Sequence, residues 1–116
     1  MRACLAGRLI SPDEPVRFEN IGLTPEQIRE AEKVVFTACG TAYHAGVVGR
    51  FLMEKLARLP ADADLAAELR QRDPVMPPNT IGIVVSQSGE TADTLEALRS
   101  MKRHGAKLLG VINVVD

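Results

Sequence analysis

An α/β fold built on a parallel sheet of about four strands is predicted by three features of the sequence. Runs of β-branched and apolar residues alternate along the chain with segments whose apolar positions recur at helical spacing. The connections between them are short, as expected of right-handed β-α-β crossovers, which open all the carboxyl ends of the strands on one edge. The stretch Ser86-Gln87-Ser88-Gly89-Glu90-Thr91 lies directly between an apolar run and an amphipathic segment. Such a strand-to-helix turn is where an open α/β sheet holds a ligand.

Residues 1–23 show no sustained period and carry Pro12 and Pro15 among scattered charges. They read as an arm or linker preceding a single domain at 24–116. Thr24-Pro25-Glu26-Gln27 is a helix start: Thr24 as N-cap, Pro25 at the first helical position, and Gln27 completing a capping box. This helix is expected to run to about Glu32. Val34-Val35-Phe36-Thr37-Ala38 follows as a strand and ends in Cys39-Gly40-Thr41.

A second helix is predicted next, with Val47, Val48, Phe51, Leu52 and Leu56 on one face packed against the sheet and Pro60 as its stop. The segment 62–72 is rich in Ala and Leu, yet the β/α alternation requires a strand there. The reading is a short strand near Ala61–Asp64 and a helix from about Leu65 to Arg70, closed by Asp73-Pro74 and Pro77-Pro78-Asn79. Thr80-Ile81-Gly82-Ile83-Val84-Val85 is apolar almost throughout, as expected of a strand covered on both faces. In the helix that begins near Thr91, Ala92, Leu95, Leu98 and Met101 form the inward stripe, Asp93, Glu96, Ser100 and Arg103 point elsewhere, and Gly105 is the stop. A final strand occupies 107–116, with no helix after it to cover it.

The 116 residues suffice for one domain with a true core. Fourteen basic residues against 15 acidic, with one tyrosine and three phenylalanines, offer neither a basic face nor stacking platforms for nucleic acid. No apolar stretch approaches the roughly 20 residues of a membrane span, and the N-terminus lacks a signal-like pattern. A soluble cytoplasmic protein with reduced thiols is expected. Cys4, Cys39, His44 and His104 have no metal-like spacing, and neither a P-loop nor a dinucleotide glycine motif is present. No metal or cofactor is expected.

The Ser86–Thr91 turn suits an anion. The first backbone N–H groups of a helix lack intrahelical partners and carry partial positive charge, so a phosphate is favoured there without a lysine. Gly89 lets the backbone approach closely. Gly40 and Thr41 end the other internal strand, so both loops are expected on the same edge of the sheet although they are about fifty residues apart. A small phosphate ester of a polyol fits them, with hydroxyls and N–H groups for the phosphate and Gln87 for sugar hydroxyls. The alternative is that these hydroxyls only cap a helix. Cys39 reads as a packed thiol rather than a nucleophile, because no base accompanies it. His44 and Glu68 read as surface or packing residues before ligand contacts, and Glu90 as pointing away from a phosphate that it would repel. No pair or triad forms a general acid and base, so no catalytic residue is assigned.

Ala38-Cys39-Gly40-Thr41-Ala42-Tyr43-His44-Ala45-Gly46 together with Ser86-Gln87-Ser88-Gly89-Glu90-Thr91-Ala92-Asp93-Thr94 closely resembles the glucosamine-6-phosphate synthase family, the isomerising glutamine–fructose-6-phosphate aminotransferases. The similarity covers 24–116, and Gly7-Arg8-Leu9 resembles the connector into the isomerase part. It implies the first sugar isomerase (SIS) subdomain, a flavodoxin-like three-layer sandwich, here ending after its last strand. It also implies that Ser86, Gln87, Ser88 and Thr91 hold the phosphate of fructose 6-phosphate and that Thr41 contacts the sugar; Gly40 and Gly89, within the same two motifs, are expected among the substrate-binding residues. Ala42 departs from the pattern, since many relatives carry serine there; one hydroxyl contact, on the order of 1 kcal/mol, is missing. The family's glutaminase cysteine follows the initiator methionine, where this chain has Arg2. The histidine, glutamate and lysine of the isomerisation belong beyond Asp116, so the chain alone is expected to be inactive. A second SIS subdomain or another copy is the partner the resemblance implies. A free-standing phosphosugar sensor and a self-association module are the rival readings.

Overall fold

β1 (Lys33–Ala38) is paired in parallel on both sides, with β2 (Ala61–Leu65) and with β3 (Thr80–Ser86), and β3 pairs in parallel with β4 (Lys107–Ile112). The four-stranded sheet therefore runs β2-β1-β3-β4. The computed structural model describes Asp13, Phe18 and residues 21–114. The expected arm at 1–23, the connector Gly7-Arg8-Leu9 and Cys4 thus lie largely or wholly outside the described residues.

Among the described residues four helices complete the fold: α1 (Pro25–Arg29), α2 (Ala42–Leu52, continued by a π-helical turn, Met53–Ala57), α3 (Ala66–Arg72) and α4 (Ala92–Arg103). The chain steps from β1 outward to β2, then returns past β1 to β3 and on to β4. Right-handed crossovers consequently put α2 on one face of the sheet and α3 and α4 on the other. Two cores result. Val35 and Val84 pack with Ala66, Leu69, Ala97 and Met101 on the α3 and α4 side, while Val34, Phe36, Ala61 and Ile81 form the core on the α2 side.

The helix signals act as read at the starts. Thr24 Oγ1 accepts from the Gln27 N–H at 3.1 Å and Gln27 Oε1 accepts from the Thr24 N–H at 2.9 Å, a reciprocal capping box. α1 ends at Arg29 rather than Glu32, because the chain must turn for the Glu32 N–H to reach the Asn79 carbonyl beside β3. The ambiguous 61–72 segment is the strand and helix expected, shifted by one or two residues at its ends. Gly105, at φ +84°, follows the last turn of α4, and the Ala106 N–H returns to the Met101 carbonyl at 3.1 Å.

Two helix faces differ from expectation. In α2, Val48, Phe51 and Leu56 are 57, 59 and 74% exposed, and Leu52 also faces solvent. Gly46 and Gly49 are what pack on the sheet: a Cβ at Gly46 would lie 3.3 Å from Phe36 Cβ, and one at Gly49 only 2.6 Å from Phe36 Cε1. The helix backbone rests on an aromatic ring, a contact that apolar periodicity cannot register because no side chain marks it. Nor does Pro60 stop this helix. Arg58 does, in the left-handed region at φ +53°, with its N–H on the Met53 carbonyl. In α4 the buried positions are Thr94, Ala97, Ser100 and Met101, while Leu95 is exposed and Leu98 only partly covered. Small residues face the sheet, and the inward stripe is rotated from the one that the leucines mark.

Gly49→Ala is expected to destabilise the fold. Helix propensity alone would favour alanine by about 1 kcal/mol, whereas a methyl driven into the Phe36 ring costs about 1–3 kcal/mol in a packed core. Urea denaturation should show a net loss of stability, partly recovered when Phe36→Leu is added. A stabilised Gly49→Ala protein would mean that α2 does not sit this close.

Candidate functional site

The site follows from the strand order. β1 and β3 are neighbours, in register from Lys33 beside Thr80 to Ala38 beside Val85. Their next residues, Cys39-Gly40-Thr41 and Ser86–Thr91, therefore emerge side by side at the point where the chain has moved outward in both directions, the usual crevice of an open α/β sheet. Cys39, Thr41, Ala42, Val85, Ser86, Gln87, Ser88 and Thr91 enclose a polar cavity of about 140 Å³. Every hydroxyl or amide residue that the sequence singles out lines it, with Gly40 and Gly89 at the bends of the two loops.

Local hydrogen bonds shape the second loop. Ser86 Oγ, largely buried at the end of β3, accepts from the Gly89 N–H at 2.9 Å, and Ser88 Oγ accepts from the Glu90 N–H at 3.2 Å. A hydroxyl that accepts from the backbone still has its own O–H to donate, so both serines remain donors toward an anion. Gly89 holds φ +77°, a conformation costly for any residue with a Cβ. Gly40 takes φ +57° in the facing loop.

Thr41 and Thr91 occupy the N-cap positions of α2 and α4, yet neither side chain makes a capping hydrogen bond. The simple capping role is thus not what these two hydroxyls perform. None of the cavity-lining residues is a cation. Attraction for an anion falls instead on the amino end of α4, twelve residues long, whose first N–H groups have no intrahelical acceptor. Asp93 in that first turn opposes the effect, but it pairs with Arg70 of α3 at 3.4 Å. Glu90, His44 and Glu68 are all exposed, and none of them lines the cavity.

A wider cleft of about 410 Å³ adjoins the polar cavity, sharing Thr41, Ala42, Val85, Ser86 and Gln87 with it and adding Ala45, Val111, Ile112 and Asn113. The contribution of β4 is absent from the sequence reading, which joined only two loops. The signal was the placement of β4 beside β3, which brings Val111 and Asn113 to the same edge; the Asn113 and Val114 N–H groups bond to the Ser86 and Gln87 carbonyls at 3.2 and 3.1 Å. A larger groove, about 480 Å³, lies elsewhere, on the α2 side of the sheet between Leu23, Ile28, Met53, Leu59, Ile81 and Leu109. Apart from Arg29 its lining is apolar and brings together no hydroxyl or amide donors. Among the described residues no group of three or more metal-ligating side chains comes together, and no helix is long and apolar enough to cross a membrane.

Comparison with known proteins agrees with this architecture. The chain is 50% identical over 115 residues to a glutamine–fructose-6-phosphate aminotransferase (isomerizing) of Clostridium acetobutylicum, covering 99% of this chain and 19% of that protein. It is also 50% identical over 109 residues to the enzyme of that name from Thermus thermophilus, covering 94% of this chain and 17% of that one. The chain thus spans about a fifth of the length of the curated relatives it matches. Among solved structures, the C-terminal domain of glucosamine-fructose-6-phosphate aminotransferase from Francisella tularensis superposes with a TM-score of 0.69 at 36% identity, over 78% of this chain and 26% of that one. A glucosamine-6-phosphate deaminase from Thermotoga maritima shares the fold alone, with a TM-score of 0.66 at 20% identity over 75% of this chain and 28% of that one. The family model described as SIS domain matches residues 27–116, and with the four-stranded parallel sheet and paired loops that those residues form, the chain belongs to the SIS domain family.

Proposed function

We propose that this chain is the phosphosugar-binding part of the isomerase region of a glutamine–fructose-6-phosphate aminotransferase, the enzyme that makes glucosamine 6-phosphate and glutamate from fructose 6-phosphate and glutamine. The observation that carries the reading is the closure of two distant hydroxyl-bearing loops on one small polar cavity at the amino end of α4. In this reading the phosphate takes O–H donors from Ser86, Ser88 and Thr91, the Gln87 amide and the first N–H groups of the helix. Thr41, on the opposite wall, donates to a sugar hydroxyl. The carbon skeleton extends into the adjoining cleft over Ala42, Ala45, Val85 and Val111, whose apolar surfaces suit the C–H groups of a sugar.

The chemistry assigned to this chain is binding and orientation. Among the residues that line the cavity none is a carboxylate, histidine or lysine, and in this reading the groups that open the ring and move the proton come from elsewhere in the enzyme, the chain alone being inactive. Cytoplasmic action with reduced thiols fits the enzyme class proposed.

A second reading, self-association or pairing with a second SIS subdomain, is favoured by one observation. Val48, Phe51, Leu52 and Leu56 form an exposed apolar stripe on α2, only partly screened by the Lys55 ammonium 5.5 Å from the Phe51 ring centroid. A contiguous apolar face of this kind is a common interaction surface.

Amide NMR titration of the 116-residue chain with fructose 6-phosphate, glucosamine 6-phosphate and inorganic phosphate tests the first reading. Shifts are expected at Thr41 and Ser86–Thr91, larger with the sugar phosphates and abolished by Ser88→Ala with Thr91→Ala; a folded spectrum without shifts would refute autonomous binding by this chain. Ala42→Ser should strengthen sugar-phosphate binding about five-fold, the worth of roughly 1 kcal/mol for one added hydrogen bond, while leaving inorganic phosphate unchanged. Light scattering over a dilution series tests the second reading: association lost on Phe51→Ser supports it, and a monomer at every concentration overturns self-association.

A further inference from the structure

Cys39 and Thr94 join the two walls of the cavity. Thr94 stands in the first turn of α4, only 2% exposed, and its Oγ1 donates to Cys39 Sγ at 3.2 Å, linking positions 55 residues apart. Cys39 lines the cavity and immediately precedes Gly40-Thr41; Thr94 lies one turn after Thr91. Among the described residues this is the one side-chain hydrogen bond that the structure records between the first loop and α4. A threonine within a helix ordinarily returns its hydroxyl to the carbonyl of the preceding turn. Here the O–H is directed instead to the sulfur that follows the end of β1, on the α4 side of the sheet, and its burial means that loss of the acceptor would strand it.

We propose that the Thr94–Cys39 hydrogen bond is a positioning tie that sets the separation of Thr41 from the Ser86–Thr91 loop, and so governs ligands that bridge both loops. The proposal rests on the phosphosugar reading for its ligand, though not for its geometry. Both loops bend through glycines with left-handed backbone, so backbone stiffness alone does not hold their spacing, and the tie acts at the base of each. Inorganic phosphate, small enough for the 140 Å³ cavity, engages mainly the second loop and the start of α4. A sugar phosphate must reach Thr41 as well. Breaking the tie therefore weakens the second kind of ligand selectively, an effect that a general loss of stability does not produce.

The test uses the full chain with Cys39→Ala, Thr94→Val, their combination, and the conservative Thr94→Ser, titrated with fructose 6-phosphate and with inorganic phosphate. Cys39→Ala and Thr94→Val are each expected to weaken fructose 6-phosphate binding about five-fold and phosphate binding less than about two-fold, with the double variant no worse than either single and Thr94→Ser close to the parent. Equal losses for both ligands, additive losses, or no loss would overturn the proposal. Amide shifts are also compared without ligand: Thr94→Val should move Gly40 and Thr41, on the far side of the bond, while Thr94→Ser should not. Absence of that movement overturns the tie even if the parent chain binds neither ligand, an outcome that would instead refute the phosphosugar reading.

Discussion

The parallel pairing of β1 with β3 is the constraint on which the rest of the molecule depends. It takes two strands separated in sequence by a strand and two helices and aligns them residue by residue from Lys33 beside Thr80 onward. Pairing in that register places Cys39 and Ser86 at a common edge. With β1 in the interior, the chain must leave it on one side and return on the other, so the helices divide between the two faces and the loops between β1 and β3 stand clear of both layers. A slip of one residue would turn the apolar set of β3 to the wrong layers and carry Ser86 away from the cavity.

Close approach of helices to this sheet is achieved through small residues. α2 meets Phe36 through Gly46 and Gly49, and α4 enters through Thr94, Ala97 and Ser100. Gly82 on β3 completes the arrangement from the sheet side, since a Cβ there would lie 2.8 Å from Met101 Sδ and 2.9 Å from Leu108 Cδ2. Dense interiors reward such interdigitation and penalise added volume. The consequence for function is indirect: the amino ends of α2 and α4 are brought down to the edge of the sheet, where Thr41 and Thr91 both line the cavity. Packing by small residues also leaves the larger apolar side chains of α2 on the outside.

The cavity itself is electrostatically modest. It combines hydroxyl donors, an amide and a helix amino end, with no lysine or arginine among its lining residues. A phosphosugar bound as proposed would be selected by geometry, because each donor would have to point at one of its oxygens, and selection would depend on how accurately the two loops are held together. Ser86 and Ser88 illustrate this: each is first committed to a backbone N–H of its own loop, which fixes the direction left for its proton.

By itself the sequence determined the order of the elements, the parallel α/β class and the two loops that meet, because these follow from local signals. Thr24 with Gln27, the β-branched run of β1, Gly105 after α4 and the Ser-Gln-Ser-Gly turn each act within a few residues, and alternation of strand and helix restricts the topology to right-handed crossovers. Only the tertiary structure decided which helix faces turn inward, that β4 adds Val111 and Asn113 to the cleft, and that Thr94 bonds to Cys39. Those outcomes depend on the distance between helix and sheet, which the smallest side chains set. A glycine or alanine carries almost no apolar weight in a periodic pattern, yet it permits the closest contact, so the face that packs best is the one the pattern marks least.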